Sequence, residues 1–271
     1  MKTAGPAPGL FDTHAHLCDP RFDPDREDVI RRSLDGGVPF ITEIADSPEG
    51  WESAMALSRS HAARMRCALG LHPYYADRWD PGLTDDLRER AKSPEVAAIG
   101  EMGLDYVKSG VSPDVQKRAF LGMLEASRAL GLPAVIHCRG AYPDMMAILR
   151  EFFGGSSAPP GRRGVLHCFS GSASDAREAV RLGLLLGVDG PVTYPKNGAL
   201  REAIAAAGLD HVVLETDSPY LPPQSRRGQR NDPSLLPEIA RGVADIFNAD
   251  AAEVARRTTE NAKRMYGINL A

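Results

Sequence analysis

Short runs of apolar and β-branched residues recur along the chain, and amphipathic stretches separate them. Runs of this length, bounded by polar and turn-forming residues, are typical of buried β-strands. Eight of them occur, at residues 10–17, 38–45, 65–73, 95–106, 132–139, 164–171, 183–190 and 211–218. The pattern therefore predicts eight strands that alternate with helices.

The stretches between the runs have helical features. Residues 113–130 place Phe120, Leu121 and Leu124 near one face, and Gly131 follows as a helix stop. Further helices are predicted at residues 172–182, which begin with serines suited to N-capping, and at 232–247 and 250–266.

Eight strand–helix units in about 250 residues favour an α/β fold of the (β/α)8 TIM-barrel type. A doubly wound open sheet is the second interpretation, but no GxGxxG motif opens any predicted helix. The pattern shows no composition break or linker that would divide the chain. We therefore expect one domain, a metal-dependent hydrolase barrel over residues 1–271.

Composition and charge restrict the classes of protein. Hydrophobic residues make up 43% and charged residues 25%, which excludes a disordered chain. The apolar runs are far shorter than the roughly 20 residues of a membrane-spanning helix, so no membrane partner is expected. No signal segment is visible, and the four cysteines form no CxxC pair, so we expect free thiols and a cytoplasmic location. A net charge of −4 argues against a broad basic face for nucleic acid, but not against a nuclease whose metals contact the phosphate.

Ionisable residues concentrate where the predicted strands end. Catalytic groups of such barrels lie at the C-terminal ends of the strands. Five of the seven histidines and five carboxylates are predicted there, namely His14, His16, His72, His137 and His167 with Asp12, Glu101, Asp105, Glu215 and Asp217.

These residue types suit divalent cations. His14 and His16 share a strand face with Asp12, because side chains alternate along a strand. His137 and His167, on neighbouring strands, could hold a second cation, and Glu101 could bridge both. Four imidazoles with carboxylates favour Zn or Mn over Mg. The alternative is a set of buried polar residues that satisfy one another, but the interior of such barrels is usually apolar.

Three residues at or beside these positions, namely His72, Cys138 and Cys168, are expected to serve roles other than metal binding. His72 is followed by Pro73 and two tyrosines, and we expect it to form a pocket wall that contacts substrate. Cys138 and Cys168 directly follow two of the histidines, so strand alternation predicts that both point outward, toward the helices.

The segments FDTHAHL, EMGLDY, VIHCR, LHCFSG and ETDSPYL resemble, in this order and spacing, the TatD family of metal-dependent deoxyribonucleases, which are amidohydrolase-like barrels. The resemblance covers essentially the whole chain. It implies an enzyme that hydrolyses phosphodiester bonds of DNA ends or single strands. It also implies six metal ligands, namely His14, His16, Glu101, His137, His167 and Asp217. Tyr74 stands where the family often has histidine, and the loop with Pro191 and Pro195 is variable, so substrate preference can differ.

The expected mechanism uses two divalent ions (Zn, Mn or Mg) that activate water and stabilise the reacting phosphate. Asp217 is expected to accept the water proton, and Glu101 is expected to bridge the ions. Asp105 and Glu215 would orient ligand imidazoles through their second nitrogens.

Substrate contacts are expected from groups at the barrel mouth. Guanidinium groups bind phosphate and aromatic rings stack on bases. The residues expected to contact DNA are Arg139, Arg227, Arg230, Tyr74 and His72. Tyr75, Tyr220 and Arg226 lie in the same segments and are further possibilities.

Two other functions stay open from the sequence. The same metals could hydrolyse an amide or an ester, such as that of an aminoacyl-tRNA, because a Lewis acid polarises carbonyl and phosphoryl oxygens alike. A non-catalytic protein that only holds metal is the second alternative. The metal identity, the cleavage polarity, the choice of DNA or RNA and any protein partner are not determined by the sequence.

Overall fold

Strands and helices alternate throughout the computed structural model, which describes residues 9–154 and 161–268. The eight strands are β1 (Phe11–Ala15), β2 (Phe40–Ala45), β3 (Met65–Leu69), β4 (Val96–Asp105), β5 (Ala134–Arg139), β6 (Gly164–His167), β7 (Leu185–Val188) and β8 (Val212–Leu214). The helices are α1 (Arg26–Asp35), α2 (Pro48–Ser60), α3 (Pro81–Arg90), α4 (Pro113–Leu130), α5 (Tyr142–Phe153), α6 (Ala173–Arg181), α7 (Gly198–Ala207), α8 (Leu236–Phe247) and α9 (Ala251–Tyr266).

The strands form one parallel sheet in the order β1 to β8. The two edge strands meet at their C-terminal ends, where Ala15 forms a parallel bridge with Ser218. There the His16 amide donates to the Ser218 carbonyl at 2.8 Å, and the Asp217 amide donates to the His14 carbonyl at 2.9 Å. The sheet is thus a nearly closed barrel, and the predicted (β/α)8 fold is confirmed. Its closure fixes the backbone of His14 and His16 beside that of Asp217.

Helix ends follow the local sequence signals. The longest helix, α4, has the predicted bounds, with Pro113 in its first turn and Gly131 in the left-handed conformation (φ 66°) after its last residue. Helix α6 begins with a capping box, in which Ser172 and Asp175 each accept a hydrogen bond from the other's amide. The helix predicted at 232–247 is instead a short 3-10 turn (Pro233–Leu235) followed by α8.

All eight strands are shorter than the apolar runs that predict them. The strand predicted at 164–171 ends at His167, and the one predicted at 211–218 ends at Leu214. Beyond these ends the backbone leaves the extended conformation, since Cys168 and Asp217 have φ angles of 45° and 55°. The polar residues of these segments therefore lie on short turns at the rim.

Apolar residues form the layer beneath the polar rim. Val135 and Val165 are fully buried and stand two residues before His137 and His167, so each shares a strand face with its histidine. A larger apolar cluster lies between the barrel and its surrounding helices. Among the described residues, none of the helices has the length and hydropathy that a membrane span requires.

Candidate metal centre

A cavity of about 430 Å³ opens at the C-terminal mouth of the barrel. It is lined by residues that belong to or follow seven of the eight strands, so the parallel barrel brings together groups far apart in sequence. Those that bear on metal binding are His16, His72, Glu101, His137, His167 and Asp217.

Glu101 lies at the centre of this cluster and presents each carboxylate oxygen to different imidazoles. Its Oε2 is 3.4 Å from His14 Nε2 and 3.9 Å from His16 Nε2. Its Oε1 is 2.8 Å from His137 Nδ1 and 3.5 Å from His72 Nε2. We call the groups around Oε2, with Asp217, the first donor set, and the groups around Oε1 the second donor set.

Asp217 completes the first donor set. It follows β8, the strand that meets β1 where the barrel closes. Its Oδ1 lies 3.5 Å from His16 Nε2 and 3.7 Å from both His14 Nε2 and His167 Nε2. His167 stands between the sets, because its Nε2 is also 3.8 Å from Glu101 Oε1 and its ring stacks on that of His14 at 3.5 Å. The ligand atoms form three groups, and the atoms within each group lie within 4.8 Å of one another. The groups are His14 with His167 and Asp217, His14 with His16 and Glu101, and His72 with Glu101 and His137.

The spacing of these atoms fits shared cations. Ligand atoms about 2.1 Å from one ion at tetrahedral angles lie about 3.4 Å apart. His14 Nε2 and His16 Nε2 are 3.2 Å apart and both face carboxylate oxygens. The buried Nδ1 atoms of His137 and His167 lie 2.8 Å from carboxylate oxygens without hydrogen-bond alignment. The residues present therefore fit divalent metal ions.

Glycine allows the neighbouring strands to approach Glu101. Gly103 has a φ of 144°, and a Cβ there would collide with the carbonyl oxygen of His137. A side chain at this position would push β4 away from β5, and this would separate Glu101 from His137.

Two carboxylates outside the cluster contact its imidazoles. Asp105 Oδ2 accepts a hydrogen bond from His137 Nε2 at 3.2 Å, and Glu215 Oε1 lies 2.8 Å from His167 Nδ1. Asp105 also accepts the amides of Val107 and Lys108, which fix its carboxylate. Both groups stand where the sequence predicted partners for the second ring nitrogen.

A third carboxylate fixes the backbone beyond the HxH pair. The two oxygens of the fully buried Glu43, on β2, accept the amides of Leu17 and Cys18 at 2.7 and 2.9 Å. These bonds hold the turn that immediately follows His16. Glu43 could not be recognised from the sequence, because a carboxylate inside an apolar strand has no motif of its own.

The electrostatics of the cluster favour ionised carboxylates. Burial opposes the charge of Glu101, but the surrounding imidazoles of His72 and His167 hold its pKa well below the ordinary value. For Asp217, burial is likewise outweighed, mainly by the hydrogen bond from His16, so its pKa is lowered. Burial lowers the pKa of His72 below its ordinary value, although the nearby Glu101 carboxylate opposes this shift.

Basic and aromatic residues form one side of the cavity mouth. Arg139 Nη1 is 3.4 Å from Asp105 Oδ2 and donates to the Tyr74 hydroxyl at 3.4 Å. Lys108 and Tyr75 line the same cavity, and the Tyr74 side chain is partly exposed there. On another side, the Tyr220 ring meets His16 edge-on with a centroid distance of 5.9 Å and packs under the Arg21 guanidinium.

Two residues expected to contact substrate lie outside this cavity. Arg230 forms two hydrogen bonds to the Asp25 carboxylate at 2.8 and 2.7 Å, and its guanidinium covers the Phe22 ring. The Arg227 guanidinium stacks over Tyr194 at 4.4 Å. Neither arginine is among the residues that line the cavity.

The structure bears differently on three expectations about residues at or beside the histidines. His72 lines the cavity, as a pocket wall would, and its Nε2 also faces Glu101 as part of the second donor set. Cys138 is buried in the outer apolar cluster as predicted. For Cys168 the prediction is wrong, because this residue lies on the turn after β6, where alternation ends, and it lines the cavity.

Comparisons with known proteins agree with this fold and this site. The family model described as TatD related DNase matches residues 11–267. The "3'-5' ssDNA/RNA exonuclease TatD" of Erwinia tasmaniensis is 33% identical over 264 residues, which cover 96% of this chain and 100% of that protein. The "uncharacterized metal-dependent hydrolase YabD" of Bacillus subtilis is 36% identical over 261 residues, covering 96% of this chain and 100% of that protein.

Among solved structures, the TatD homolog YJJV from Escherichia coli superposes with a TM-score of 0.86 at 28% sequence identity, covering 96% of this chain and 98% of that one. The family match spans nearly the whole barrel, and it includes every residue of the two donor sets. The chain belongs to the TatD related DNase family and is a metal-dependent hydrolase of the TatD type.

Proposed function

We propose that this protein is an exonuclease that removes nucleotides from the 3′ end of single-stranded DNA or RNA and uses two divalent ions. Relatives such as the Erwinia tasmaniensis protein are named 3′-5′ exonucleases on these substrates. The observation that carries the two-ion proposal is the placement of Glu101, whose oxygens face separate groups of imidazoles. Zn, Mn and Mg are all compatible with this proposal, and the imidazole-rich donor sets favour the first two.

The proposed roles follow from what each side chain faces. Bound divalent ions would polarise the phosphate and make water a better nucleophile. His14, His16 and Asp217 would hold one ion, His72 and His137 the other, and His167 would contribute from between the sets. Glu101 would bridge the ions and keep their separation fixed. These assignments include the six ligands that the family resemblance implies and add His72.

Asp217 is the proposed proton acceptor for the attacking water. Its lowered pKa keeps the carboxylate ionised, and its Oδ1 points toward the imidazoles of the first donor set. Asp105 and Glu215 are proposed as positioning residues, because each contacts a ring nitrogen that Glu101 and Asp217 do not use.

The substrate strand is proposed to pass over the basic side of the mouth. Arg139 and Lys108 supply positive charge for phosphates, and the exposed face of Tyr74 is available for stacking on a base. A few contacts of this kind suit an enzyme that grips only the end of a strand. They also fit the net charge of −4, which provides no broad basic face.

Two further expectations stay proposals. We propose that the chain forms one domain, which is supported by the single barrel that the described residues build. We also propose a cytosolic location, which is supported by four cysteines that form no disulfide among the described residues.

The test is hydrolysis of a 5′-labelled single strand, DNA and RNA in parallel, with Mg²⁺, Mn²⁺, Zn²⁺ or a chelator. We expect a ladder of products shortened from the 3′ end that requires metal. Glu101→Gln and Asp217→Asn proteins should lose the ladder while their far-UV circular dichroism matches that of the wild type.

The same assay distinguishes the alternatives. Cleavage from the 5′ end would contradict the proposed polarity. No cleavage of either strand with any metal would contradict the nuclease proposal, and release of the amino acid from aminoacyl-tRNA by the same preparation would establish a deacylase instead.

A further inference from the structure

The cavity mouth carries opposite charges on two sides. Lys108 and Arg139 lie on one side, after β4 and at the end of β5. Asp46 lines the same cavity directly after β2, which is three strands away from β5 around the barrel. The two donor sets, which together form the donor cluster, lie between them. A strand whose scissile phosphate binds at the cluster therefore meets cationic groups in one direction and a carboxylate in the other.

Asp46 is a carboxylate without a strong partner. Within residues 9–154 and 161–268, no other residue donates a hydrogen bond to its side chain, and no arginine or lysine lies within ion-pair distance of it. Its electrostatic neighbours are His16, Glu101, Asp19 and Tyr75. Its backbone is fixed, because its carbonyl accepts the His72 amide at 2.8 Å. The half-buried side chain thus keeps its acceptor oxygens free at the cavity that is proposed to bind substrate.

The other acidic residues near the mouth differ from Asp46 in this respect. The Asp19 carboxylate is held by two hydrogen bonds from the Arg21 side chain, at 2.9 and 2.7 Å. Asp105 is occupied by His137, Arg139 and two backbone amides. Asp46 is therefore the acidic group of the cavity that still has its hydrogen-bonding capacity to offer.

The two directions of an exonuclease substrate differ in charge. On the 5′ side of the scissile bond, every nucleotide adds a phosphate. On the 3′ side there is only the terminal nucleoside, which ends in a hydroxyl group. A carboxylate accepts a hydrogen bond from a hydroxyl, and charge-assisted bonds of this type are strong. A terminal phosphate offers no such donor when ionised and is repelled by a carboxylate that lacks a cationic partner.

We propose that Asp46 is a specificity-determining residue that selects strands ending in a 3′-hydroxyl and rejects strands ending in a 3′-phosphate. This inference rests on the proposed exonuclease function. It assigns the 5′ part of the substrate to the side of Lys108 and Arg139, and the terminal nucleoside to the side of Asp46.

The experiment compares two 5′-labelled single strands of identical sequence, one ending in a 3′-hydroxyl and one in a 3′-phosphate. The wild type, Asp46→Asn and Glu49→Gln are assayed with Mn²⁺. Glu49→Gln is the matched control, because it removes one negative charge three residues away, where Arg78 pairs with Glu49 outside the cavity. Each rate is divided by the same protein's rate on bis(p-nitrophenyl) phosphate, which has no strand end, so that the comparison reports end recognition.

We expect the wild type and Glu49→Gln to cleave the hydroxyl-ended strand at least about tenfold faster than the phosphate-ended strand. In Asp46→Asn this preference should fall to about twofold or less, chiefly through faster cleavage of the phosphate-ended strand. An unchanged preference in Asp46→Asn would overturn the assignment while the exonuclease proposal stands, and so would the absence of any preference in the wild type. If bis(p-nitrophenyl) phosphate is hydrolysed but neither strand is cut, the exonuclease proposal fails and the inference fails with it.

Discussion

The donor cluster and the basic segment 225–230 were both expected at the mouth of the barrel. In the structure the cluster lines the cavity there, whereas no residue of segment 225–230 does. Every carboxylate and imidazole that the motifs nominated as a ligand lies within the cluster around Glu101 and Asp217. Arg230, from the basic segment, is bound to Asp25 on the outer surface instead. The difference lies in how each group is positioned. The ends of parallel strands converge at the mouth of a barrel. A long arginine side chain on a loop instead pairs with whichever carboxylate or aromatic ring lies near that loop.

The largest expected effect comes from substitution of Glu101, the carboxylate that is proposed to bridge the two ions. Glu101→Gln keeps the size of the side chain but removes the charge that both donor sets share. We expect kcat/KM for a single strand to fall by more than about 100-fold, since even the loss of an outer partner of a metal ligand costs about 10- to 100-fold. Steady-state kinetics at saturating Mn²⁺ measure this. A Glu101→Gln protein that keeps more than a tenth of the wild-type kcat/KM would show that the two ions do not share Glu101.

The next effect concerns the carboxylates behind the imidazoles. Asp105→Asn and Glu215→Gln should each weaken metal binding by about 10- to 100-fold, because the ring orientation of His137 or His167 is no longer fixed. Titration with Mn²⁺ gives the affinity, and excess metal should restore much of the activity. Loss of activity that no metal concentration restores would argue against a positioning role.

A smaller effect distinguishes Arg139, which lines the cavity, from Arg230, which does not. Arg139→Gln should raise KM for a single strand by about tenfold, since a charge-assisted hydrogen bond contributes about 1.5–3 kcal/mol. Arg230→Gln is the matched control and should change KM by less than about twofold, because a guanidinium paired outside the cavity contributes little. Equal effects of both substitutions would mean that the bound strand reaches segment 225–230.

The smallest effect is on folding stability. The Arg230–Asp25 pair is partly exposed, with side-chain exposures of 31% and 29%. Arg230→Gln should therefore lower the free energy of unfolding by less than about 1 kcal/mol. Urea denaturation of both proteins checks this value. A loss well above it would show that packing on Phe22, rather than the ion pair, holds the segment.

The fold and most of the cluster could be predicted because they follow from periodicity. Eight apolar runs separated by helices leave few arrangements, and each histidine at the end of a run must then face the mouth. Glu101 was expected between the two histidine pairs in strand order, and its oxygens divide between them in the structure. The closure between His14 and Asp217 also follows, because β1 and β8 are neighbours only in a barrel.

The remaining features depend on turns and side-chain competition, which periodicity does not encode. Cys168 turns inward because its backbone has a φ of 45°, so strand alternation no longer applies. His72 reaches Glu101 because it stands on the turn beyond β3, and nothing in its LHPYY context separates a ligand from a wall. Asp46 follows β2 without any motif, and only its position in the cavity reveals it.

The central claim is that the two oxygens of Glu101 join two metal sites. Calorimetric titration of Mn²⁺ into metal-free wild-type protein and into Glu101→Gln tests it most directly. We predict two ions per wild-type chain and a loss of affinity at both sites in the variant, because one side chain serves both. A single ion in the wild type, or a variant in which only one of two sites is weakened, would contradict the claim.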